Sequence, residues 1–293
     1  MVSLAAITLL AGGCAVSKKR VVPPAQVRPA LAATAEQLIE QYNQQARAVR
    51  SLNAGVELVP VAGSSYSGVI EEYHDVQGFI LAQKPAHIRV IGQAPVVAKN
   101  VFDMVSDGET FRIFLPSKKK FIVGPTTLER PAKKPIENLR PQHLLDAVFW
   151  PELLPGQPVL FEEFNADPAR YYVLTVLRSS APLEIDRKIW FDSADLSLAR
   201  TQLYGPGGRL LSEIRYAGWE PAAGGSAAPA GTRYPRHIWL VRPHDDYQLE
   251  LRITRLTLNE EIAVDRFRLE QPPGTELVRV GAEPKEGDAG VRP

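Results

Sequence analysis

Between Gly78 and Gly124 the chain alternates short β-branched or aromatic runs with turn residues: GFILAQKPAHIRVIGQAPVVAKNVFDMVSDGETFRIFLPSKKKFIVG. This is the pattern of an antiparallel meander. Stretches 101–106 and 110–115 are joined through Asp107-Gly108, a hairpin signal because such a turn needs a positive φ. The chain turns again through Pro116 and a lysine triplet, and lysines at a turn keep a strand edge soluble. The meander is apolar at both parities. Phe102, Met104, Phe111 and Ile113 alternate on one, while Val101, Val105 and Phe114 take the other. A sheet that is apolar on both faces must be covered twice or wrap around something.

The rest of the chain extends this sheet. Thr34 with Gln37 has the form of a capping box, and Leu38, Tyr42, Ala46 and Val49 make one stripe, predicting a helix over 34–50. Strands are expected at 51–60 and 65–74, with a turn over 73–78, and then at 159–164, 170–177, 184–192, 197–204, 210–219, 233–242 and 246–259. Pro141 suits the first turn of a short helix at 140–150, which Pro151 ends. In the last strand Leu249, Leu251 and Ile253 share one parity, but Leu256 and Leu258 take the other. A bulge near Thr254-Arg255 would return them to one face and bend the strand. Residues 220–232, rich in Ala, Gly and Pro, read as a surface loop. The tail 281–293 has no apolar periodicity. The expectation is one mainly β domain of α+β class over 34–280, since β folds often run past 200 residues as a unit.

Cys14 is the only cysteine, so no internal disulfide is possible. It follows a short apolar run, Leu4 to Leu10, that ends in small residues, the form of a secretory signal over 1–13. Leu10-Ala11-Gly12-Gly13-Cys14 resembles a bacterial lipobox, which implies lipidation of Cys14 and attachment to a membrane through it. By analogy with enterobacterial sorting, Ala15 in place of Asp favours the outer membrane, with the domain at the periplasmic face. Residues 14–33 then form a lipidated start and tether, whose Lys18, Lys19 and Arg20 either touch anionic lipid or remain solvated.

Gly78, the Lys84-Pro85 pair, the strand from His87 to Val90 and the turn Val105-Ser106-Asp107-Gly108 resemble the LolA/LolB lipoprotein-localisation family. Phe267, Pro272-Pro273-Gly274 and the apolar Leu277, Val278 and Val280 resemble the close of the same fold. The resemblance spans about 36–280. It implies a strongly curved antiparallel sheet, a half-open barrel, with helices covering the concave side over an apolar cavity for a lipid or the acyl chains of lipoproteins. A periplasmic carrier protein is a further partner it implies. The cavity candidates are Phe79, Leu81, Ile88, Val90, Phe102, Met104, Phe111, Ile113, Trp190 and Trp239, with ordinary core packing as the alternative for each. Ile88 stands where the family places an aromatic facing the cavity. The second helix, with Leu144, Leu145, Val148 and Phe149, is the candidate lid, the alternative being a packed surface helix. Lys84 stands where the family often carries an arginine that latches the lid. It keeps the charge without the planar fork, and a solvated strand-end lysine is the other reading.

Other chemistry has little support. No Gly-x-Ser-x-Gly elbow occurs. The five histidines (74, 87, 143, 237 and 244) are scattered singly, without zinc-ligand spacing. A net charge of +1 gives no basic field for nucleic acid. A binding protein without cofactor or metal is therefore expected, not an enzyme. A structural lipoprotein that uses the curved sheet as a docking surface for an envelope complex is the alternative from another class.

Overall fold

The computed structural model describes residues 28–64, 69–72, 76–94, 99–127, 138–166, 169–222 and 227–281. The expected signal, Cys14 and all of the tail but Gly281 lie outside the described residues. Among the described residues two α-helices, α1 (Ala35–Ala48) and α2 (Pro141–Val148), accompany fifteen strands. These are β1 (Ser51–Ser64), β2 (Val69–Glu72), β3 (Val76–Gln83), β4 (His87–Gln93), β5 (Asn100–Ser106), β6 (Thr110–Leu115) and β7 (Lys120–Pro125), then β8 (Val159–Ala166), β9 (Ala169–Arg178) and β10 (Glu184–Asp192). The series ends with β11 (Leu198–Tyr204), β12 (Leu210–Pro221), β13 (Arg233–Arg242), β14 (Tyr247–Leu258) and β15 (Glu276–Arg279). They form a single open, curved sheet in the order β15-β7-β6-β5-β4-β3-β1-β14-β13-β12-β11-β10-β9-β8, with β2 paired to β1. Pairing is antiparallel except between β15 and β7.

Local signals explain most boundaries. Thr34 Oγ1 accepts from Gln37 N (3.3 Å) and Gln37 Oε1 from Thr34 N (3.0 Å), closing the capping box. Asp107 Oδ1 accepts from Glu109 N and Thr110 N, and Gly108 takes φ +97° in the β5–β6 turn. In β14 the register against β1 slips between Gly55/Val56, so Thr254 is the extra residue. Ile253, Leu256 and Leu258 are consequently buried together, as the change of parity predicts.

Two boundaries differ from expectation. The first strand does not end at Pro60 but runs to Ser64. Pro60 falls where β1 has left β3 (last pair Leu58–Val76) and not yet met β2 (first pair Val61–Glu72), so a missing N–H costs little there. The predicted turn over 73–78 is shorter, since β3 begins at Val76 and includes Gly78. A Cβ on Gly78 would stand 2.4 Å from the Ile91 carbonyl oxygen, so only glycine fits this pairing.

Both faces of the meander are covered. On the inner face α1 and α2 pack Leu38, Tyr42, Ala46, Leu144, Val148 and Phe149 into one core with Ile80, Ile88, Val90, Met104 and Leu251. On the outer face Val105 and Phe121 are buried beneath the chain that follows β14. This C-terminal strap is fastened where Arg89 pairs bidentately with Asp103 (3.0 and 2.7 Å) and also donates to Arg266 O (2.9 Å). Phe267 is buried with its ring 5.3 Å from His87, and β15 then joins β7. If the strap is part of the core, Phe267→Ala should cost about 3–5 kcal/mol in urea unfolding, as for other buried phenylalanines. A loss of less than about 1 kcal/mol would show a peripheral strap.

Candidate functional site: the covered inner face

Residues directly opposite one another in a sheet share a face, so the register sorts the ten cavity candidates. Val90 pairs with Ile80 and Met104, Met104 with Ile113, and Gly92 with Phe102. Ile88, Val90, Phe102, Met104, Phe111 and Ile113 therefore lie on the inner face. Phe102 and Ile113 are half-buried and the other four buried. Phe79, Leu81, Trp190 and Trp239 lie on the outer face. Ile80 and Ala82 take the inward positions of β3, leaving Phe79 40% exposed. Trp190 packs against Arg200 (4.9 Å) and Phe164 (5.0 Å), and Trp239 stacks on His237 (5.8 Å).

The inner face is filled by the protein's own side chains. Leu144, Leu145, Val148 and Phe149 are buried in it, joined by Trp150 and Leu153 from the irregular chain after α2. Trp150 occupies an aromatic box, its ring 5.8 Å from Tyr216, 5.8 Å from Trp219 and 5.6 Å from Tyr234. Surface clefts of about 560 and 480 Å³ lie elsewhere, a third of about 130 Å³ opens at the edge of the inner face beside Tyr42, Phe191, Leu198 and Trp219, and none of these three is lined by any of the ten candidates.

The cover is held by its backbone. Lys84, at the turn after β3, donates through Nζ to Ala46 O (2.5 Å) in the last turn of α1 and to Trp150 O (3.5 Å), and lies 5.5 Å from the centre of the Phe149 ring. A cation here meets carbonyls that the helix end leaves free and the negative end of its dipole. Burial lowers the Lys84 pKa, opposed by Glu152. Asn43 of α1 grips Leu153 from both sides, donating to its O (3.0 Å) and accepting from its N (2.8 Å). Tyr234 OH donates to Val148 O (2.7 Å) and Arg187 Nη2 to Glu152 O (3.1 Å). Four side chains from four different places in the chain thus clamp the segment from Val148 to Leu153. The lysine does by point contacts what a planar fork would do bidentately.

Two titratable groups lie in α2. His143 is kept neutral by burial and by Arg242 and Arg140, and its Nδ1 shares a hydrogen bond with Tyr247 OH (2.5 Å). Burial raises the Asp146 carboxyl to about 6, with Arg242 opposing. Asn43, Trp150, Arg187 and Tyr234 escape sequence reading. The polar members look like ordinary helix and strand residues, and the cover they hold is distant in sequence.

The described fold is an open, curved half-barrel whose apolar concave side is closed by a helix and loop. No family model matches the sequence, and no curated protein matches it. Among solved structures the chain is similar to a LolA superfamily protein of Nitrosomonas europaea, at 14% identity over 81% of this chain and 99% of that one, TM-score 0.47. It is similar to a DUF1329 family protein of Desulfovibrio piger at 13% identity over 78% and 97%, TM-score 0.46. An outer-membrane lipoprotein-sorting protein domain of Vibrio parahaemolyticus gives 10% identity over 78% and 94%, TM-score 0.44. At these scores the likeness is one of outline.

Lys84→Met should speed amide exchange over 149–154 by about tenfold or more, the equivalent of one charged hydrogen bond, while sheet amides keep their rates. Unchanged exchange there would remove Lys84 from the clamp. Folding raises the Asp146 pKa, so its contribution is full below pH 3.8, the ordinary carboxyl value, and is lost as pH rises through about 6. Exchange in α2 of the native protein should therefore accelerate over that window relative to Asp146→Asn. Parallel profiles would contradict this.

Proposed function

We propose that this protein is a membrane-anchored envelope lipoprotein that holds a lipid, or the acyl chains of a lipoprotein, against its inner face. One observation carries the reading: an apolar curved face whose cover is fastened through backbone carbonyls and amides at the few points described above. A saturated chain of about 14–16 methylenes loses roughly 11–13 kcal/mol on exposure to water, at about 0.8 kcal/mol per methylene. The binder must offset most of that loss, and replacing Phe149, Trp150 and Leu153 by a chain exchanges one apolar contact for another. On this reading the side chains of the cover, Phe149, Trp150 and Leu153, occupy the place that the chain would take. The lipobox-like sequence before Cys14 supports the anchor and the envelope location.

The filled inner face also favours a second reading, an assembly lipoprotein whose closed half-barrel is a rigid docking body. Mass spectrometry of protein purified from its own membrane fraction separates the two. The binding reading predicts stoichiometric lipid or acylated peptide, enriched when Lys84→Met loosens the lid. Protein free of lipid in both forms, with no uptake of a fluorescent hexadecanoyl probe, would establish the scaffold instead.

A further inference from the structure

Beneath the Trp150–Glu152 stretch the inner wall is not apolar. Tyr42 OH from α1, Trp150 Nε1 from the lid, Arg187 Nε from β10, Thr201 Oγ1 from β11 and Tyr216 OH from β12 are all buried, and none makes a well-formed hydrogen bond among the described residues, although Tyr216 lies close enough to Trp150 and Thr201 to interact weakly with both. Their residues are between 2% and 6% exposed. Thr201 stands opposite Ile189 on β10 and Ile214 on β12. Arg187 lies two residues before the first and Tyr216 two residues after the second, so the three make a diagonal across the inner face. The Trp150 ring covers Tyr216 at 5.8 Å. Tyr42 closes the group from α1, near enough to feel the charge of Arg187.

The composition of this group selects a ligand. All five atoms carry hydrogens to donate, and one belongs to a fixed cation. Another Arg187 nitrogen is already committed to Glu152 O, and the nearest carboxylate oxygen, on Asp186, is 3.9 Å from Nε. A buried guanidinium whose nearest carboxylate oxygen is this distant and hydroxyls this poorly partnered are each costly, and buried polar groups in folded proteins are nearly always well paired. The missing partner is an acceptor with more than one lone pair and one negative charge. A single guanidinium matches a carboxylate, whereas a phosphate dianion would ask for a second cation.

We propose that this socket receives the carboxylate of a single-chain fatty acid, admitted when the Trp150–Glu152 segment lifts, with the chain lying along the apolar part of the inner face. The inference rests on the acyl-chain reading above and names the head group for it. Ordered water filling the socket is the competing occupant.

Calorimetry with dodecanoate and dodecanol at pH 8 tests both layers on the intact chain. The socket predicts that the acid binds at least about tenfold more tightly than the alcohol, a charge-assisted hydrogen bond's worth. Arg187→Gln should erase that preference by weakening the acid alone. Thr201→Val and Tyr42→Phe, which leave the Arg187–Glu152 contact intact, should narrow it even if the arginine variant fails to fold. Equal affinities for the two probes in the native protein would overturn the socket, assign it to water and leave the acyl-chain reading standing. An undiminished preference in the folded variants would place the carboxylate elsewhere and also overturn it. Binding of neither probe would overturn the acyl-chain reading, and the socket with it.

Discussion

The architecture depends on a meander that is apolar on both sides. In β3 to β7, Ile80, Ile88, Val90 and Met104 point one way, Leu81, Val105 and Phe121 the other, and all are nearly sealed from solvent. Neither face can be left to water at about 25 cal/mol for each Å² of apolar surface. The inner face takes α1, α2 and the lid segment. The outer face takes the strap after β14, locked by Arg89, Asp103 and Phe267. Both covers are added to the sheet from distant parts of the chain. They differ in how they are fixed. The strap ends in a strand, β15, paired along β7. The lid is held by side chains gripping its backbone and by its own apolar side chains buried in the core, without strand pairing.

Lys84 joins three elements at once: the end of β3, the last turn of α1 and the chain after α2. Asp146 adds a charge whose burial grows costlier as pH rises toward neutrality. The interior beneath the lid has two chemistries, an aliphatic floor around Val90 and Met104 and a polar one around Arg187 and Thr201. An amphiphile has the same two.

Local features were legible in the sequence because local physics sets them. The Thr34 capping box, the Asp107-Gly108 turn and the bulge at Thr254 each follow from residue types within a few positions. That the sheet is covered twice or wraps around something followed from the two parities of Val101–Phe114. Which parity faces inward did not, because a strand apolar on both sides gives no sign of its orientation; Phe79 and Leu81 went to the outer face for that reason. Trp190 and Trp239 went there because Ile189 and Phe191 in one strand, and Ile238 and Leu240 in the other, take the inward positions beside them. The parallel β15–β7 pairing and the socket from Tyr42 to Tyr216 are products of long-range topology. Their members resemble ordinary strand and helix residues until the sheet order brings them together.

On the proposed function, the lid over the inner face opens for an acyl chain. Spin labels on the exposed Leu154 of the lid segment and the exposed Thr254 of β14 would report this by pulsed electron resonance. Opening would give one distance in the free protein and a second, longer population that grows as a hexadecanoyl ligand is added. A single distance that the ligand leaves unchanged at saturation would contradict it and leave a closed, rigid half-barrel.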